Sequence, residues 1–305
     1  MAEWLFEAGI GEARAALIDH GRIVAARIEI ADAAPRPGAV LAAQLIEPGV
    51  VRLDGGAIAT LVRPVPGMTL GARLTVEVVR ESLPERGRVK PPRVAATDAA
   101  PRPAPGLRAR LDGAVRDLRA HEDDALEAAG WSELLEEAAS GDIAFPGGAL
   151  RLSPTPAMTL FDVDGDGPPD ALAERAAVAV AAAIARHDIG GSIGVDFPTI
   201  QGKAARQRVA AVLDAQVPPP FERTAVNGFG FLQLVRPRPR ASLPEMVRAD
   251  PVGAAARAAL RRIERNPPGA PDRHRLPPAV LARIEARADW IAELARRTGR
   301  HAILE

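Results

Sequence analysis

Apolar and polar residues alternate with a period of two along residues 3–30, and Asp19, His20 and Gly21 interrupt the alternation. That pattern predicts a β-hairpin or meander with a turn at the interruption. Four short β-type runs follow at 40–46, 50–53, 58–62 and 73–79, separated by Pro and Gly, and they predict a small barrel. Residues 99–106 are Pro-rich and read as a linker. Residues 107–140 carry a helical pattern and many acids. From 146 the rhythm changes: strands at 149–152 and 158–163, a long helix at 171–187, and a strand at 192–197 entered through Gly190 and Gly191. A helix at 202–216 and strands at 224–226 and 229–235 complete what reads as a mixed α/β layer. An Arg-Pro run, 236–240, ends it, and 241–305 reads as Arg-rich and mainly helical. The predicted class is α+β, or mixed. An N-terminal hairpin and a β-rich barrel span 1–98, a Pro-rich linker with acidic helices 99–145, an α/β layer 146–240 and a small Arg-rich helical region 241–305.

Composition narrows the partners. The chain has 305 residues, 47% hydrophobic but only 3% aromatic, with no Tyr, so the core is filled with aliphatic side chains. Thirty-nine basic residues balance 39 acidic ones, which excludes a uniformly basic nucleic-acid binder; any such surface is local. Lys90 and Lys203 are the only lysines, so positive charge is arginine, suited to bidentate phosphate recognition. The absence of Cys excludes disulfides, thiolate zinc sites and cysteine nucleophiles. No basic-then-apolar leader stands at the N-terminus, and the longest apolar run, 176–185, is too short to span a bilayer. The expectation is a cytoplasmic protein with no membrane partner.

The most informative stretch is an apolar strand, 158–161, running into Asp162, Asp164 and Asp166. Residues i and i+2 of a strand face the same way, so Asp162 and Asp164 project together. Clustered carboxylates repel unless a cation neutralises them, and a hard divalent ion is the usual reason for such a cluster. The Asp-x-Asp-x-Asp-Gly spacing also matches the start of an EF-hand loop. Its twelfth position, however, is Ala173 instead of Glu, two prolines follow the glycine, and a strand precedes it. A purely structural acidic turn is the other alternative. A second apolar strand ends in Asp196. Two strands of one sheet that each deliver an Asp can place both on one metal ion, a recurring geometry of metal-dependent phosphoryl transfer.

Four stretches in this order resemble the catalytic subdomain of the ribonuclease E/G family: 145–152 (FPGGALRL), 155–164 (TPAMTLFDVD), 188–197 (DIGGSIGVDF) and 226–236 (VNGFGFLQLVR). Residues 14–24 (RAALIDHGRIV) are similar to the family's opening hairpin. The region 38–97, ending in GRVKPPRV at 87–94, resembles its oligonucleotide-binding (OB) barrel. The resemblance implies an OB-type RNA-binding barrel and an α/β catalytic layer. It further implies a magnesium-dependent endoribonuclease, with Mn2+ as a substitute ion, that hydrolyses single-stranded RNA to 5′-phosphate and 3′-hydroxyl ends. Asp162 and Asp196 take the metal roles, and Asp164 takes a third catalytic position where the family usually has Asn. An ionised Asp cannot donate the hydrogen bond that an Asn amide can.

This would be a short form of the family. The zinc link needs Cys, so no zinc is expected, and the chain is a monomer or a zinc-independent homodimer. The 5′-sensing region is cut to a short acidic segment, which implies independence from the RNA 5′ end. The barrel stretch 50–61 has no aromatic for base stacking, so grip relies on charge. Candidate RNA-binding residues are Arg86, Arg88, Lys90 and Arg93, with Lys203 and Arg206 on the helix after Asp196. A solvated basic loop is the plainer reading of the first four. Arg236, Arg238 and Arg240 form a basic arm or an exit linker, Asn227 reads as turn chemistry, His187 as a helix C-cap, and 290–294 as core packing. The rival to the enzyme is a catalytically weak RNA-binding protein of the same fold.

Overall fold

A computed structural model describes residues 2–32, 35–85, 87–267 and 269–305. The alternating first third forms strands β1 (Glu3–Ala8), β2 (Glu12–Asp19), β3 (Arg22–Ile30), β4 (Val40–Glu47), β5 (Val50–Leu53), β6 (Ile58–Leu61) and β7 (Arg73–Arg80). Next come β8 (Leu83–Glu85), β9 (Arg88–Lys90), β10 (Arg93–Ala96) and β11 (Val115–Asp117), then helices α1 (Ala125–Ala128) and α2 (Trp131–Ser140). The middle holds β12 (Asp142–Phe145), β13 (Gly148–Pro154), β14 (Thr159–Gly165), α3 (Pro169–Arg186), β15 (Gly191–Asp196), α4 (Lys203–Gln216), β16 (Glu222–Arg223) and β17 (Phe231–Arg236). The tail is α5 (Leu243–Ala249), α6 (Pro251–Glu264), β18 (Arg273–His274), α7 (Pro278–Glu285), α8 (Ala288–Thr298) and β19 (Ile303–Leu304). The class is mixed α and β, as expected. No described helix is long and apolar enough to cross a membrane.

Two compact units form, and neither is continuous in sequence. One comprises Met1–Asp32, Leu107–Leu135 and Val247–Glu305. Its sheet has the order β11-β1-β2-β3. Part of the segment read as helical, 107–140, is therefore a strand that pairs parallel with β1. Here sheet pairing overrides local helical propensity. Arg14, with 0% exposure, is bound by Glu7 and, at 2.7 Å, by Asp124, and its guanidinium lies 5.1 Å from the Trp131 ring. Glu12 takes Arg257 at 2.9 Å and Arg261 at 3.1 Å, both on α6. α6 opens on Asp250, whose carboxylate accepts from the Gly253 amide as an N-cap. Trp290 and Leu294 are buried with α6 and α7, as their helical spacing predicts.

The other unit comprises Ala33–Gly106 and Glu136–Met246. Its first part is a closed five-stranded barrel, β10-β6-β5-β4-β7, with Val51, Ala59, Val76 and Val94 fully buried inside. The four predicted barrel runs are all strands. The Pro-rich 99–106 stretch lies along the barrel: Val40 and Arg102 exchange two backbone hydrogen bonds, at 2.9 and 3.0 Å. An open strand backbone needs partners, and this stretch supplies them.

The second part is a six-stranded sheet, β12-β13-β14-β15-β17-β16. α3 and α4 cover one face. Ala176, Ala177 and Ala183 of α3 are fully buried there, and their small side chains let the helix lie close to Phe161 and Val195. The sheet begins four residues earlier than the sequence pattern suggested, with β12, and residues 224–226 are not a strand: the two-residue β16 lies just before them, at Glu222–Arg223.

α3 ends at His187, which is its C-cap and whose ring is fully buried. Its Nε2 lies 3.2 Å from Glu137, while Nδ1 has no partner among the described residues. A carboxylate acceptor there places the proton on Nε2. Burial, the largest cause, holds the imidazole below its ordinary value of 6.5 against the pull of Glu137, and Arg186 lowers it further. The unfolded chain takes up this proton near pH 6.5 while the native chain does not. Stability is then intact above that pH and falls as pH drops through it. The fall in melting temperature from pH 7.5 to 5.5 should be smaller in His187→Gln than in the natural chain. Parallel curves would remove His187 as the cause.

Candidate metal centre

β14 and β15 are neighbours and run parallel, joined by α3. Parallel strands need such a crossover. Their register sets Thr159 opposite Ile193, Phe161 opposite Val195, and Asp162 opposite Asp196. Adjacent strands lie about 4.8 Å apart, and residues paired across them project from the same face. The two carboxylates are therefore side by side. Phe161, Val163, Val195 and Phe197 fill the helix-covered face, so the alternation turns Asp162, Asp164 and Asp196 to the open one, where all three are exposed.

Register carries the row outward. Asp142 of β12 pairs with Arg151 of β13, Arg151 with Asp162, Asp162 with Asp196, and Asp196 with Phe231 of β17. Five strands thus contribute one line of side chains across the open face. β14 continues to Gly165, beyond the end of β15. Asp164 is consequently one step outside the row, opposite Ala149, and its Oδ2 is 3.1 Å from the Arg151 Nε. The side chains of Asp162 and Asp196 have no hydrogen-bond or ion-pair partner among the described residues. The residues of the Asp-x-Asp-x-Asp-Gly motif up to Gly165 are strand, which is not the coiled loop of an EF-hand.

No group of three or more His, Asp or Glu side chains among the described residues is placed to hold a metal ion. A pair is enough for magnesium, which commonly takes one or two carboxylates and keeps several waters. The donor set is hard oxygen, free of partners among the described residues and open to solvent. On its chemistry it fits that ion.

The loop after Asp196 is pinned from two sides. Arg206 donates from Nη1 to the Ile200 carbonyl at 3.1 Å, so this guanidinium is turned to the loop. Lys203, the first residue of α4, is exposed. On the other side the 226–230 turn presses in: Gly230, with φ of 97°, accepts from the Phe197 amide at 3.3 Å. Asn227 Oδ1 accepts from the amides of Phe229 at 2.9 Å and Phe231 at 3.0 Å, which is the turn role expected for it. The turn displays Phe229 at 84% exposure, the highest among the described large hydrophobics.

The barrel cations are placed differently from one another. Arg88 (2.7 Å) and Lys90 both pair with Glu85 across the β8–β9 hairpin, and Glu85 is held below the ordinary carboxylate range, by Lys90 first. Arg93 is exposed on β10 with no partner among the described residues, and Arg86 lies outside them. The Arg-Pro run is an internal strap: Arg236 donates to the Ile189 and Pro218 carbonyls, Arg238 binds Glu245, and Arg240 lies 3.3 Å from Asp188. Sequence reasoning missed Arg151 and Phe229. The strand alternation put Arg151 on the face of the acids, and the scarcity of aromatics made any exposed one a signal.

No protein-family model matches this chain, and no curated protein matches it.

A Cβ on Gly230 would overlap the Phe197 carbonyl oxygen and lie 2.9 Å from that of Pro198, and its φ is left-handed. Backbone cannot yield as a side-chain tip can. Gly230→Ala should cost at least about 2 kcal/mol in urea denaturation. Gly228→Ala, with nothing within 4 Å, should stay within about 0.5 kcal/mol. Equal costs would mean that the turn is not pinned against the Asp196 loop.

Proposed function

We propose that this protein is a magnesium-dependent endoribonuclease of the ribonuclease E/G type. It cuts single-stranded RNA to 5′-phosphate and 3′-hydroxyl ends independently of the RNA 5′ terminus. The observation that carries the reading is the level pairing of Asp162 with Asp196 on parallel strands, both unpartnered and exposed. Asp162 and Asp196 would hold Mg2+, or Mn2+ in its place. When bound, the ion supplies a Lewis acid beside the scissile phosphate and a positioned water. Arg151, next to Asp162 in the row, offers a planar cation for phosphate oxygens. Asp164, drawn to Arg151, anchors that guanidinium. Phe229 gives a flanking base a stacking surface at the lip of the site. The closed barrel, read as OB-type, would add charge-based grip through Arg93 and the Glu85-paired Arg88 and Lys90, and Lys203 would meet a phosphate near Asp196.

One observation favours the rival, an RNA-binding protein with weak catalysis: Asp164 is engaged by Arg151 and, ionised, donates no hydrogen bond. The two readings part on cleavage of a labelled RNA of about 20 nucleotides. With magnesium, the enzyme should leave 5′-phosphate ends. EDTA, Asp162→Asn or Asp196→Asn should each cut the rate at least about 100-fold. RNA that binds but stays intact with every divalent ion would leave the binding protein.

Phe229→Ala should weaken binding of the same RNA in EDTA by about 1–3 kcal/mol, as loss of one stacked base does, and Phe229→Trp should retain it. An unchanged anisotropy titration would remove Phe229 from the RNA path.

A further inference from the structure

The barrel contains a pairing that folding alone does not explain. β10 and β7 are antiparallel, and their register sets Arg93 opposite Arg80, at a register shift between Arg93 and Val94. Like charges directly opposite on neighbouring strands destabilise a sheet. A third arginine joins them. The Glu81 amide donates to the Pro239 carbonyl at 2.9 Å, which brings the strap carrying Arg238 alongside the end of β7. Burial, then the fields of Arg93 and Arg238, lower the pKa of Arg80 below that of an ordinary arginine, so the three guanidiniums share one neighbourhood.

Nearby carboxylates are engaged elsewhere or reach only one member. Arg238 binds Glu245. Glu85, which acts on Arg80, is bound by Arg88 and Lys90. Glu81 accepts from the Ala241 amide at 2.9 Å. Arg80 itself donates from Nη2 to the Pro91 carbonyl at 2.7 Å. Unmet demand remains: among the described residues the buried Nε groups of Arg80 and Arg238 have no hydrogen-bond partner, and neither does the Arg93 fork. Neighbouring planar forks with spare N–H donors match the chemistry of a tetrahedral oxyanion, which arginine binds bidentately.

We propose that Arg80, Arg93 and Arg238 form a phosphate-binding site that takes one phosphodiester of the single-stranded RNA. The RNA half rests on the proposed function, whereas the phosphate half stands without it. The shared chemistry is a phosphate oxyanion, and its two sources are the RNA backbone and free inorganic phosphate.

Arg93→Gln tests this, because it removes the repulsion without touching a structural hydrogen bond. The melting temperature of the natural chain should rise in inorganic phosphate relative to chloride at equal ionic strength, and that rise should vanish in Arg93→Gln. At low salt without phosphate the variant should melt no lower than the natural chain. Arg93→Glu, with a carboxylate opposite Arg80, should also lose the phosphate response in a fold held at least as firmly. In RNA titrations across salt, Arg93→Gln should lose about 0.7 from the slope of log K against log salt, the share of one single-strand phosphate. If the phosphate response goes while RNA binding keeps its slope, the site stands with free phosphate as its ligand. A phosphate response equal in all three chains, or an Arg93→Gln protein that melts lower at low salt, overturns the site. Failure of RNA binding or cleavage in the natural chain strikes the proposed function, and the phosphate arm still decides the site.

Discussion

Parallel pairing of β14 with β15 is the constraint on which the candidate metal centre depends. Asp162 and Asp196 come level only because the chain leaves β14, passes through the 18 residues of α3, and returns in that register. A slip of one residue in β15 would turn Asp196 into the helix-covered face and expose Val195. Burial of Ile193 and Val195 against α3 and α4 enforces the register from behind. The hydrophobic core on one face of the sheet thus determines where two charges stand on the other.

The open face is built to tolerate what the core would not. Two unpartnered carboxylates side by side are unfavourable in a dry interior and acceptable in water. Glycine gives the strand and the turn beside the pair their close fit. Gly194 lies where a Cβ would meet Phe231, Leu160 and Met158 within 2.9 Å, and Gly230 lies against the Phe197 carbonyl. The turn that ends at Gly230 leaves Phe229 exposed, whereas the barrel segment 38–97 has no aromatic residue.

Arginine supplies nearly all the positive charge, and the fold uses it in two ways. Around Arg14 and Glu12 the guanidiniums are buried, paired and hydrogen-bonded, joining β1 and β2 to α6 and Asp124. Buried pairs of this kind add little net stability, but they penalise any arrangement that separates them. Around Arg80 and Arg93 the charges oppose one another across a strand pair, with donors left over. The contrast separates arginines that specify the fold from arginines that demand a ligand.

Much of the architecture was legible in the sequence. Period-two alternation and Pro-Gly punctuation located the meander and the four barrel runs to within a residue or two, and the helix after Asp162 was plain from its spacing. Both acids, Asp162 within its strand and Asp196 at the end of its own, were visible as well. These features are local: side-chain alternation, turn residues and helix periodicity depend on neighbours a few positions away. Only the tertiary structure decided what each charge faces. It set Asp162 against Asp196 and Arg151, drew Arg88 and Lys90 to Glu85, turned Arg206 to Ile200, tied the Pro-rich stretch to Val40, and made part of an apparent helix a strand beside β1. Those outcomes depend on strand register and on contacts between residues far apart in the chain, which no short window of sequence contains.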